Sequence, residues 1–147
     1  MLRATLERLL AEVGAPDATV SLSLIRDPEM RAINREHRDK DAATDVLSFP
    51  LYEPDAFVRA GRTHLRERPA GELMLGDIVI SIDTAQTQAA AYDAPLEREL
   101  ERLLIHGVLH LCGHDHMVAG ERRLMEREER RLAAAIGMPW PYLGEIR

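Results

Sequence analysis

His106-Gly-Val-Leu-His110-Leu-Cys-Gly113-His114-Asp-His116 holds four of the chain's six histidines, and it follows directly on an apolar run through Leu103, Leu104 and Ile105. An α-helix turns every 3.6 residues, so His106 and His110 fall on one face, one turn apart. That spacing suits two ligands of a single ion. Gly113 marks the place for the helix to stop, because glycine adopts the left-handed conformation at little steric cost. A chain that turns there brings a third imidazole back toward the first two. Three neutral imidazoles with one open position describe a catalytic zinc site.

Working outward, the offsets of His106, His110, Gly113 and His116 are those of the metzincin peptidases, H-E-x-x-H-x-x-G-x-x-H. In those enzymes the glutamate after the first histidine is the general base. Here that position is Gly107. The metal frame is present and the proteolytic base is absent, which favours a zinc hydrolase over an ordinary metalloprotease. The metzincin-like offset selects His116 as third ligand; His114 flanks Asp115 from the other side and is the alternative, since alternate residues of an extended segment point the same way. Cys112 sits off the shared helical face and reads as a small buried residue.

The rest of the chain reads as one domain, residues 1–147, with an α+β fold of mixed layers. The expectation is a mixed sheet of about four strands packed with about five helices, the metal-site helix against the sheet. Leu2, Leu6, Leu9, Leu10 and Val13 make an amphipathic stripe before Gly14. Ala18–Ile25 alternates as a strand, Asp27 and Pro28 offer a cap and first position for a helix through Met30, Ile33 and Asn34, and Val46–Pro50 is a short strand. Residues 72–81 (ELMLGDIVIS) give the clearest strand, with a helix capped by Ser81 or Asp83 after it. Pro95 opens the metal-site helix, whose early Glu97, Glu99 and Glu101 suit its dipole. A last helix runs from about Val118 to Ile136, apolar at Leu124, Met125, Leu132 and Ile136. Its Glu121, Glu126, Glu128 and Glu129 read as an ion-paired outer face. Residues 51–71, with Pro54, Gly61, Pro69 and Arg59, Arg62, Arg66 and Arg68, read as a mobile, solvated loop.

One cysteine excludes an internal disulfide framework and fits a reducing compartment. No apolar run approaches the length that spans a bilayer, and the first residues lack a signal peptide's apolar centre, so a cytoplasmic protein is expected, with no membrane partner. A net charge of −6 excludes coating nucleic acid through bulk charge but allows a local basic cleft.

Two further stretches precede the histidines: Asn34-Arg-Glu-His-Arg38-Asp-Lys40-Asp41-x-x-Thr44-Asp45-Val-Leu-Ser48-Phe49-Pro50 and Gly76-Asp77-Ile78-Val79-Ile80-Ser81. The ordered triplet resembles the YbeY family of bacterial ribosomal RNA maturation factors, described as metal-dependent, single-strand-specific endoribonucleases. The resemblance runs from about Asp27 to the last helix. It implies one Zn2+ per chain on His106, His110 and His116, and a catalytic arginine at Arg38. It extends to Asp115, Met125 and Glu129. It also implies single-stranded RNA as substrate, action in 16S rRNA 3′-end maturation and ribosome quality control, and the small ribosomal subunit with its proteins or assembly factors as partner, with DNA not expected. This chain departs from the family pattern at His37 and His114, where the family carries tyrosine. An imidazole keeps the capacity to stack on a base.

On that reading Arg38 holds a phosphate, and Arg35, Lys40 and His37 extend the contact along the strand. The plain alternative for Arg38 is a salt bridge to Asp39, Asp41 or Asp45. Asp115 either orients a ligand imidazole or closes the turn after Gly113. Two rival functions stand beside the nuclease: a zinc metallohydrolase or peptidase, opposed by Gly107, and a non-catalytic ribosome-assembly factor with a structural zinc, which would need a fourth protein ligand.

Overall fold

The computed structural model describes residues 2–51, 74–113 and 119–138, so His114, Asp115, His116, nearly all of the expected 51–71 loop and the C-terminal tail lie outside the described residues. The elements in order are α1 (Leu2–Glu12), β1 (Thr19–Ile25), α2 (Asp27–Arg38), β2 (Val46–Pro50), β3 (Met74–Ser81), α3 (Ile82–Ala91), α4 (Leu96–Leu111) and α5 (Ala119–Ala135). The sheet has three strands among the described residues, one fewer than the four expected. Only three described segments carry strand patterning, and together they already present both faces to helices.

β3 is central, with β1 parallel on one side and β2 antiparallel on the other. The β1–β3 register shifts between Thr19, opposite Met74, and Val20, opposite Gly76. This irregularity resets the alternation of β3, so that Leu75, Ile78 and Ile80 enter the same core despite the odd spacing of the first two. Gly76 lies at φ +147°, and a Cβ there would stand 2.2 Å from the Phe49 carbonyl oxygen. No side chain fits at that point of the β2–β3 contact.

One face of the sheet is covered by α4 and α1. Leu100, Leu103, Leu104, Ile105, Val108, Leu109 and Leu111 of α4 join Leu6, Leu9 and Leu10 of α1 and Ile78 and Ile80 of β3 in the main core. Each such side chain stabilises by roughly 1.5–3 kcal/mol relative to exposure. The opposite face carries a smaller cluster, Met30 with Leu47 and Val79, against which Ile25, Ile33 and Phe49 pack. α2 therefore lies across the sheet from α4. No helix among the described residues is long and apolar enough to cross a membrane.

The start of α2 corrects one expectation. Asp27 does not cap its own helix; the N-cap is Arg26, without a side-chain hydrogen bond. The Asp27 carboxylate instead accepts hydrogen bonds from the hydroxyls of Ser81 and Thr84. Asp83 answers from α3, its Oδ2 accepting from the Asp27 backbone N–H at 2.9 Å and its Oδ1 from Arg26 at 2.6 Å. α3 keeps the local cap expected at Ser81, whose Oγ accepts from the Thr84 N–H, while α2 is capped from across the end of β3 by Asp83, which local sequence does not reveal.

The backbone N–H of Asp27, then Arg26, hold the Asp83 carboxyl below its usual range. A depressed folded value means stability that is present above the ordinary carboxylate range of about 4 and lost as pH falls through the folded value. The thermal midpoint of Asp83→Asn is accordingly expected to lie below wild type at pH 7, with the gap closing as pH drops below about 4. A gap that persists unchanged at pH 3 would contradict this role.

Candidate metal centre

α4 is buried almost all round, yet His106 and His110 are partly exposed. Their Nε2 atoms lie 3.0 Å apart, with ring centroids at 4.5 Å and planes at 72°. Two zinc–nitrogen bonds of about 2.0–2.1 Å at a tetrahedral angle would place the nitrogens about 3.3 Å apart, so this donor pair fits one ion with a small adjustment. α4 closes as expected. Cys112 is its C-cap and fully buried, and Gly113 follows at φ +93° with its N–H donating to the His110 carbonyl at 3.0 Å.

The glycine between the histidines has a structural cause. A Cβ at Gly107 would meet Ile78 of β3 at 3.0, 3.1 and 3.2 Å. The position that carries the base in metzincins is here pressed against the sheet. A carboxylate there would enter the core rather than face the histidines.

Glu129 was missed as an inward residue. Its Oε2 lies 3.8 Å from His106 Nδ1, and its side chain is only 15% exposed. Glu128 beside it behaves as an outer-face acid, accepting from Arg131 at 2.7 and 3.1 Å. Arg131 also reaches Glu12 of α1 at 3.5 Å, tying α5 down. The overlooked signal was periodicity: Met125, Glu129, Leu132 and Ala133 share one face, and the other three are buried. Leu124, by contrast, is exposed.

The second group of expected site residues gathers at the C-terminal end of α2. Asp39 takes the left-handed conformation that ends the helix, its N–H bonded to the Asn34 carbonyl, and the Asn34 side-chain amide donates to the Ala42 carbonyl at 2.8 Å. Two of the three acids that might have neutralised Arg38 are engaged elsewhere. Asp41 accepts from Arg31 at 2.7 and 3.0 Å and lies 3.9 Å from Arg35, and Asp45 lies 3.3 Å from Arg102. Arg38 is exposed and makes no ion pair among the described residues. His37 packs edge-on against Phe49 at 5.3 Å, and Lys40 is exposed. Arg35 also lines a cleft of about 490 Å³ along α2 with Asp27, Pro28, Arg31, Ala32 and Ala43.

Among the described residues the two groups lie apart, on either side of β2. Arg102 of α4 meets Asp45 at the start of β2, Gly107 lies over Ile78, and Leu111 lies near Gly76, opposite Pro50. The histidines are therefore level with the second half of β2. His37 stands beside Phe49, at that same level on the other face. Both helices bring their C-terminal ends, where the dipole favours cations, to one end of the sheet.

A family model described as Endoribonuclease YbeY matches residues 1–137. The chain belongs to the YbeY family. An Endoribonuclease YbeY of Anaeromyxobacter sp. (strain Fw109-5) is 44% identical over 144 residues, covering 98% of this chain and 68% of its own length. One from Moorella thermoacetica is 42% identical over 144 residues, covering 93% of this chain and 88% of its own. In three dimensions the chain is similar to the solution structure of TM1509 from Thermotoga maritima, with TM-score 0.61, 26% identity, and 92% and 79% of the two chains covered. The YbeY match spans α1 to the end of α5, so both sides of β2 and the Glu129 contact lie within it.

Proposed function

We propose that this chain is a zinc-dependent endoribonuclease that cuts single-stranded RNA, with His106, His110 and His116 holding one ion and Arg38 gripping the phosphate. The observation that carries the reading is the convergence of the His106 and His110 Nε2 atoms at 3.0 Å in a chain of the YbeY endoribonuclease family. Zinc held there by the histidines would supply positive charge toward a phosphoryl oxygen and a nucleophile.

The chain's own residues do the rest. Arg38, unneutralised by the acids around it, offers a bidentate fork to a phosphate and stabilises charge that develops in the transition state. The ion pairs of Arg31 and Arg35 hold Asp41 away from it. Lys40 adds a backbone contact, and His37, seated on Phe49, offers an imidazole edge to a base. Asp115, outside the described residues, is the acid proposed to orient a ligand imidazole. Because the histidines and Arg38 lie on either side of β2, the RNA strand crosses the end of that strand to reach both. Ribosomal RNA is the proposed substrate and the small ribosomal subunit the proposed partner, in the cytoplasm, as family membership suggests. A peptidase is disfavoured by the packing of Gly107 on Ile78.

The test pairs metal content with cleavage of a single-stranded RNA. Wild type is expected to carry one zinc and to cut; His106→Ala and His116→Ala lose both, while His114→Ala keeps its zinc. Arg38→Ala keeps its zinc and cuts about 10²–10³-fold more slowly, the usual cost of one charge-stabilising donor. Zinc retained in full without His116 would sink the ligand assignment. An Arg38→Ala variant that cuts as fast as wild type would remove Arg38 from the site.

A further inference from the structure

We infer that Glu129 is a positioning residue for His106: its carboxylate, reaching from α5, fixes the imidazole with the Nδ1 proton facing Glu129 and Nε2 facing His110. This rests on the proposed metal site and adds a helix that the sequence reading left out of it. Three observations carry it. Glu129 Oε2 approaches Nδ1, the nitrogen on the far side of the ring from His110. Glu129 lies on the buried stripe of α5 beside Met125 and Leu132, so its carboxylate is held rather than swept through solvent. α5 itself is anchored, by that stripe and by Arg131 on Glu12 of α1.

The chemistry follows from the two ring nitrogens. A neutral imidazole has one proton, and a carboxylate beside Nδ1 favours that proton there, leaving the Nε2 lone pair for a cation. The separation of 3.8 Å is longer than a hydrogen bond, and a small side-chain adjustment closes it. Removing such a partner typically weakens metal binding about 10–100-fold.

The experiment is a zinc competition titration with a chromophoric chelator on the full chain. It is run on wild type, Glu129→Gln, Glu129→Ala, Glu129→Asp, His106→Ala and the double variant His106→Ala/Glu129→Gln, with Glu128→Gln as neighbour control. Glu129→Gln is expected to lose about 10-fold in affinity and Glu129→Ala up to about 100-fold, with Glu129→Asp recovering part. Glu128→Gln is expected to match wild type. In the His106→Ala background the Glu129 change is expected to have no further effect, and cobalt(II) loaded into Glu129→Gln to show an altered visible spectrum. Metal-free thermal midpoints of wild type and Glu129→Gln are expected to agree, which separates positioning from a merely structural role.

Full affinity in Glu129→Gln while His106→Ala loses it would overturn this inference and leave the metal site standing. An additive loss in the double variant would also overturn it, because Glu129 would then act other than through His106. Zinc binding indifferent to His106 would overturn the metal site and the inference together.

Discussion

A Gly107→Glu variant is expected to lose most of its stability and gain no peptidase activity. Restoring the glutamate would complete the metzincin motif on paper. In the fold, the first atom of any side chain at 107 meets Ile78 at 3.0–3.2 Å, between the site helix and the central strand. Overpacking of this kind costs about 1–3 kcal/mol. A carboxylate carried into the same contact adds a desolvation penalty of several kcal/mol. For a chain of this size about 3 kcal/mol corresponds to a thermal midpoint lowered by on the order of 10 °C. Gly107→Ala, with the clash but not the charge, is expected to fall between. Thermal melts of the two variants check the order; a Gly107→Glu protein that melts with wild type would mean that α4 rides free of the sheet at this point.

The second large effect is expected at Arg102. Its guanidinium donates to both Glu99 oxygens at 2.9 and 2.8 Å and to Asp45 at 3.3 Å, and Gln88 donates to the same two carboxylates. Glu99 is fully buried and Arg102 nearly so. Among the described residues no buried side-chain nitrogen or oxygen lacks a partner. Arg102→Met would strand the Glu99 charge in the interior, and removing one member of a buried pair costs about 3–5 kcal/mol. The double variant Arg102→Met/Glu99→Met is expected to recover most of that loss, since two apolar side chains replace the buried pair at little net cost. Urea unfolding of the single and double variants measures both. A single variant as stable as wild type would show that Glu99 takes up a proton or reaches solvent at little cost. Asp45 also accepts from the Val46 N–H, so the network fixes where the turn after Arg38 enters β2.

The same residues show what the sequence could and could not convey. The helix of the histidines was legible because its apolar spacing and closing glycine are local properties. By pattern Glu99 is an acid suited to a helix start, whereas its carboxylate is buried against Arg102 and Gln88, which also reach Asp45, more than fifty positions away. Asp27 is alike: a local cap by pattern, but spent on Ser81 and Thr84 of another element. Glu129 was obscured by the arginines and glutamates around it, although its step of four from Met125 was in plain view. Arg38 shows the opposite case, since the engagement of Asp41 and Asp45 by other partners follows only from where Arg31, Arg35 and Arg102 lie.

The strand order has a consequence for how the chain is made. Among the described residues the central strand β3 comes last of the three, after both of its neighbours. During synthesis β1 and β2 leave the ribosome with no partner to pair with, until the roughly 30 residues from Pro50 to Ser81 have followed. At about 5–20 residues per second that is a wait of roughly 2–6 s. Leu22, Leu47 and Phe49 have no sheet to pack in until β3 arrives, and the parallel β1–β3 pairing is non-local and intrinsically slow. Among the described residues, then, the sheet cannot close until its middle strand has been made.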